Sequence, residues 1–158
     1  MEDFNKTSPP KQSVHKVLAH SYFFFFFLLL ISICLDLFFN SSLGVFDSYS
    51  VVLLGFLFLI FATFLIVWAQ KTSRKLNKEN INKETFTHGP YRFTRAPTHL
   101  GLFFLTLGLG LVSNAIFIVV FAFVNFFIAK FFFLKKEEDI LTIKYGAPYI
   151  EYKKSVKL

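Results

Sequence analysis

The sequence predicts an all-α integral membrane protein with about four transmembrane helices, including a C-terminal helical hairpin followed by an amphipathic segment. Three observations carry this reading. Apolar residues make up 54% of the 158-residue chain, with 25 Phe among the aromatics, and they come in blocks instead of alternating with polar residues. The blocks are almost free of charge: Leu18–Phe39 holds only Asp36, Leu43–Ala69 only Asp47, and Leu100–Ala129 none. Runs of about 20 apolar residues match the thickness of a bilayer core at roughly 1.5 Å rise per residue. Finally, the cations lie at or beyond the ends of the blocks, and a soluble protein with buried helices would need far more polar covering than this chain has.

Taken in order, the first span is expected over residues 18–39. It is too long for the h-region of a cleavable signal peptide, about 7–15 residues, and no small-residue cleavage site follows it. It should therefore stay as an anchor. The lone Cys34 inside it permits no intramolecular disulfide. The Phe23–Phe27 run reads as lipid-facing filler. The tail before it, with Ser8-Pro9-Pro10, reads as irregular. A second span is expected over 43–69, and the polar loop "KTSRKLNKENINKE" after it as a solvated connector near anionic headgroups.

The last apolar block is too long for one perpendicular span and is interrupted by Ser113-Asn114. A hairpin resolves it, with arms at about 97–112 and 115–134. Pro97 suits the first turn of a helix, where its missing N–H costs nothing. The positive charges test this choice. Of the 17 Lys and Arg, three lie in the N-terminal tail, seven between the second and third spans, and seven at or beyond the end of the fourth. The two opposite turns carry none. Under the positive-inside rule both termini and the 70–96 loop are cytoplasmic. At this length one compact unit is expected, with residues 1–70 forming the tail and first two helices and 71–158 the loop, hairpin and C-terminal segment that would carry the chemistry.

Two polar stretches share the cytoplasmic face. The first is "GPYRFTRAPTHLG", Gly89–Gly101. Pro90 and Pro97 disfavour a continuous helix, and irregular backbone at a membrane boundary persists where it is buried in protein or lines a watery cavity. Two arginines alone would be interfacial anchors, but anchoring needs neither the prolines nor Tyr91 and His99. The second is "KKEEDILTIKYGAPYIEYKK", Lys135–Lys154. Its Glu137 and Glu138 oppose the positive-inside trend. One reading is a salt-bridged amphipathic helix with Lys130, Lys135 and Lys144 as partners. Gly146 and Pro148 then break the helix, and Tyr149 and Tyr152 suit a membrane interface. The hairpin would bring both stretches together as a pocket with apolar walls, with Gly101, Gly108 and Gly110 permitting close helix approach.

The ordered set "THGPYRFTRAPTHLG", hairpin, "EEDILTIKYGAPYIEYKK" resembles the isoprenylcysteine carboxyl methyltransferase and phospholipid methyltransferase superfamily. That pattern runs G-P-Y-R-x-x-R-H-P-x-Y-x-G, a helical hairpin, E-E-x-x-L and a closing G-x-x-Y-x-x-Y-[KR]-[KR]. The likeness covers about residues 85–156, with Gly89, Pro90, Tyr91, Arg92, Arg95, Pro97, Gly101, Glu137, Glu138, Leu141, Gly146, Tyr149 and Tyr152 in register. It implies an integral membrane methyltransferase that uses S-adenosylmethionine and a lipid or lipidated acceptor. Carried over, Thr85, Phe86, Tyr91, Ala96, Pro97, Thr98, His99, Glu137 and Glu138 would line the cofactor site, and Arg95 and His99 would be the catalytic residues.

The chain departs from the pattern in three ways. Ala96 stands where the family has His, and His99 where it has Tyr. Phe133 and Leu134 stand where the carboxyl-methylating branch carries an Arg. These changes bear on the acceptor more than on the fold. Two other functions compete: a member that binds a lipid or partner without catalysis, motivated by Ala96, and a membrane reductase of related architecture using a nicotinamide cofactor. The second would need a larger cofactor surface than this short chain offers. No metal site is expected, and no nucleic-acid partner, since topology accounts for every basic residue.

Overall fold

The computed structural model describes residues 14–39, 49–74 and 86–156, and every regular element among them is helical. Helix α1 covers Val14–Phe39 and α2 covers Tyr49–Arg74. A single 3-10 turn, Gly89–Arg92, leads into α3, Pro97–Val112. Helix α4, Ile116–Ile128, continues through a π-helical turn, Ala129–Phe133, into α5, Leu134–Tyr145, and α6 covers Ala147–Ser155. The tail with Ser8-Pro9-Pro10, the turn after the first span and most of the basic connector lie outside the described residues, as does Thr85.

Among the described residues, three helical stretches are long and apolar enough to cross a membrane: Lys16–Phe39, Tyr49–Ser73 and Ile116–Tyr145. The arm at Pro97–Val112 begins and ends where the sequence places it, but has 16 residues. At about 1.5 Å per residue it spans roughly 24 Å, short of a hydrocarbon core of about 30 Å. The fourth arm is longer than expected. It runs as one continuous helix of 30 residues to Tyr145, because nothing between Ala115 and Tyr145 breaks a helix: that stretch holds neither Gly nor Pro. Gly146 ends it at φ +62°, a left-handed conformation that costs glycine nothing.

Helices α2 and α3 pack most closely, and glycine is the reason. A Cβ on Gly108 would lie 2.8 Å from the Gly55 carbonyl oxygen, and one on Gly101 would meet Ile66 of α2. Gly110 instead lets the hairpin close, since its Cβ would lie 2.7 Å from a Val119 methyl. Small residues of this kind let membrane helices gain dispersion contacts where no hydrophobic force drives them together. Of the Phe23–Phe27 run, Phe23, Phe26 and Phe27 face outward as expected. Phe25 is buried, and the Phe24 ring packs 5.9 Å from that of Phe133.

Asp36, the one acid in the first span, caps another helix. Its two carboxylate oxygens accept from the backbone N–H groups of Phe117 and Ile118, at 3.1 and 3.0 Å. These are orphan donors of the first turn of α4, where the helix dipole also favours negative charge. Asp36→Ala removes both bonds, and is expected to lower stability by about 0.5–2 kcal/mol, the usual range for a lost N-cap. Thermal unfolding in detergent measures it; an unchanged midpoint would show the cap to be dispensable.

Candidate functional site

The polar stretch at 89–101 takes its shape from its glycine and prolines. Gly89 has φ +59°, and a Cβ there would collide with Thr72 and approach the Trp68 indole nitrogen. Only glycine lets the chain lie so close to the end of α2. Pro90 enters the 3-10 turn, whose carbonyl accepts from both Phe93 and Thr94. Pro97 then begins α3 with Ala96 as its N-cap residue, and the Ala96 N–H donates to the Thr94 hydroxyl at 3.3 Å. Arg95 is thereby held just outside the helix while His99 lies one turn inside it.

The Glu pair arrives from the other arm. The π-helical turn ends about one helical turn before it, with the Leu134 N–H donating to the Ala129 carbonyl. Such turns add a residue to the helix and reset which face follows, and they recur at functional sites. Here Phe133 meets Phe24 of α1 while both glutamates are buried against α3 and the chain before it. Arg95 Nη1 lies 2.6 Å from Glu138 Oε1, and Lys153 Nζ lies 2.6 Å from Glu138 Oε2. Glu138 is only 5% exposed. His99 Nε2 lies 3.3 Å from Glu137 Oε1, 38 residues away in sequence. A donating Nε2–H leaves Nδ1 of the ring as the basic nitrogen.

The glutamates thus do not pair with Lys130, Lys135 or Lys144. Those lysines share their helix but not its inner face; the cations that reach Glu138 come from Arg95 and α6. Lys153 was invisible as a partner in sequence, because only the break at Gly146 turns α6 back onto the site. The tyrosines of α6 differ from expectation too. Where aromatic side chains facing outward were expected, Tyr149 and Tyr152 are 3% and 2% exposed. They form a core with Val156, against which Phe86, Tyr91, Leu141 and Tyr145 pack. The Tyr152 hydroxyl donates to the Tyr91 carbonyl at 2.8 Å, which satisfies that polar end. Burial raises the phenol pKa of Tyr91, Tyr149 and Tyr152 above the ordinary value, and the nearby Glu138 carboxylate adds to it at Tyr149. All three stay neutral donors at physiological pH.

Around the start of α3 the remaining groups converge. The Tyr91 hydroxyl is within hydrogen-bonding reach of the Ser73 and Thr98 side chains. Thr98 is also within reach of Tyr22 on α1. Neither Tyr22 nor Ser73 carried a sequence signal. Phe86 stacks edge-on against Tyr145 and Tyr149. Arg92, by contrast, is exposed. Deeper in the helices, His99 lines a cavity of about 20 Å³ together with Ser21 and Asn125. This is room for one water. Asn125 is 8% exposed and its side-chain nitrogen has no hydrogen-bond partner.

Among the described residues, Phe86, Tyr91, Arg95, Ala96, Pro97, Thr98, His99, Glu137 and Glu138 therefore occupy one region where α1, α2, α3, α5 and α6 meet. Paired carboxylates, two cations, an imidazole and a wall of aromatic rings can bind a zwitterionic ligand and accept a proton. No group of three or more His, Cys, Asp and Glu among them could hold a metal ion.

No curated protein and no solved structure matches this chain. A family model does match, that of the phospholipid methyltransferases, over residues 50–148. The match covers well over half of the chain and takes in α2, the Gly89–Arg92 turn, the hairpin and the Glu pair. With the Arg95–Glu138 and His99–Glu137 contacts both inside that range, the chain belongs to the phospholipid methyltransferase family.

Proposed function

We propose that this protein is an S-adenosylmethionine-dependent methyltransferase acting on a lipid or lipidated acceptor, as in the isoprenylcysteine carboxyl methyltransferase-like branch. The observation that carries the reading is the meeting of the Gly89–Gly101 stretch with the Glu pair, through Arg95–Glu138 and His99–Glu137. When bound, S-adenosylmethionine supplies both the reactive methyl group and its leaving group. The residues present suit it. Arg95 and Lys153 are partners for a carboxylate, Glu138 for an amine or ribose hydroxyl, and Phe86 for a flat ring. Tyr91, Ala96, Pro97, Thr98 and Glu137 complete that surface, with Thr85 preceding it in the chain. Displacement at a sulfonium needs donor and acceptor in line, so positioning is the protein's main contribution. His99 takes the proton of an amine or thiol acceptor; a carboxylate acceptor brings none.

A second reading, a lipid-binding member without catalysis, rests on Ala96, whose methyl cannot hydrogen-bond a cofactor. Calorimetry on detergent-purified protein separates the two from the reductase alternative. Saturable binding of S-adenosylmethionine is expected. Binding of a nicotinamide cofactor instead, or of neither, would overturn the methyltransferase reading. We further propose that both termini face the cytoplasm. Reporters fused after Leu158 and inserted near Asn80 should then read cytoplasmic, and those at Ser41 or Ser113 should not. A C-terminus on the opposite side would remove the pocket from the cytoplasmic face.

A further inference from the structure

On the outer flank of the bundle, helices α1 and α4–α5 run antiparallel. Asp36 meets Phe117 and Ile118 at one end, and Phe24 meets Phe133 further along. The same register brings Lys16 and His20, one helical turn apart on α1, opposite Lys136 on α5. Between them lies a cavity of about 300 Å³ with Phe23, Phe24 and Phe133 in its walls. That is at the lower end of ligand-pocket volumes, about 300–1,000 Å³.

Among the described residues, no acidic side chain lines this cavity. The ion pairs of the described residues all involve Glu137 or Glu138, and none involves Lys16 or Lys136. His20 Nδ1 is 2.8 Å from the Lys16 carbonyl oxygen, so Nε2 is the nitrogen left for a ligand. Cations gathered at the mouth of apolar walls are complementary to an anion that carries an apolar chain. Lys16 begins the candidate span Lys16–Phe39, and Lys136 stands about 20 residues beyond Ile116, roughly one bilayer core along a helix that continues to Tyr145. The cations are thus at headgroup level while the phenylalanines point toward the acyl region. Lysine side chains so placed bind lipid phosphate.

We propose that this groove binds one anionic phospholipid, its phosphate on Lys16, His20 and Lys136 and an acyl chain along Phe23 and Phe133. None of Lys16, His20 and Lys136 belongs to the Arg95–Glu138 cluster, although Phe24 and Phe133 also line the small cavity that His99 borders. Native mass spectrometry of the full chain, with phosphatidylglycerol and phosphatidylcholine of equal chain length, tests it. One phosphatidylglycerol should be retained in preference to phosphatidylcholine. The double variant Lys16→Gln/Lys136→Gln should lose about tenfold or more in affinity for it. Lys144→Gln, on another face, should not. Millimolar inorganic phosphate should not displace the lipid, since it lacks the chain that the phenylalanines hold. Equal retention of the two lipids, full retention by the double variant, or displacement by free phosphate would each overturn the assignment. Both lysines are exposed, so the variants should keep the wild-type helicity, and circular dichroism verifies this.

Discussion

His99→Gln is expected to lower methyl transfer by about 10²–10⁴-fold, the usual contribution of a positioned general base. His99 is buried, faces Glu137 and borders the small cavity with Ser21 and Asn125. Glutamine keeps a donor for Glu137, so the loss would come from the missing base and not from an orphaned carboxylate. The family position of the imidazole, occupied here by Ala96, offers a rescue. Ala96→His in the His99→Gln background is expected to recover part of the rate. Membranes incubated with methyl-labelled S-adenosylmethionine, with label followed into lipid and protein fractions, provide the measurement. If His99→Gln transfers at the wild-type rate, the acceptor brings no proton to remove, which points to a carboxylate. If wild type labels neither fraction above an empty-vector control, the non-catalytic reading takes over.

Glu138→Ala is expected to weaken S-adenosylmethionine binding at least tenfold, because hydrogen bonds to charged groups are worth about 1.5–3 kcal/mol. From its place at the polar end of a span, Glu138 looks removable without harm to the fold. The structure says otherwise, since the carboxylate is buried and shared by Arg95 and Lys153. Losing one partner of a buried pair destabilises more than the pair itself contributes. Glu138→Ala is therefore expected to lower the unfolding midpoint as well. Glu138→Gln separates the two effects: it keeps the volume and one acceptor, and calorimetry on the folded variant reads cofactor affinity alone. Unchanged affinity in Glu138→Gln would make Glu138 a structural clamp between the hairpin and α6.

What the sequence determined by itself is local or additive. Apolar runs place the long helices, because every backbone group in a bilayer must be satisfied within its own segment. Pro97 begins α3, Ser113-Asn114 turns the hairpin, and Gly146 ends α5, each through its own backbone constraint. The order of motifs also identified the family, since spacing along the chain survives without coordinates. Partners were a different matter. Which cation reaches Glu138 depends on where α6 folds back. That Asp36 caps α4, 81 residues away from Phe117, depends on the register of two packed helices. Whether Tyr149 and Tyr152 are interfacial or buried depends on Phe86 and Tyr91 arriving from another segment. These choices are made by long-range packing, in which a half-turn of helix decides whether a side chain meets lipid, water or a carboxylate, and no local pattern encodes that rotation.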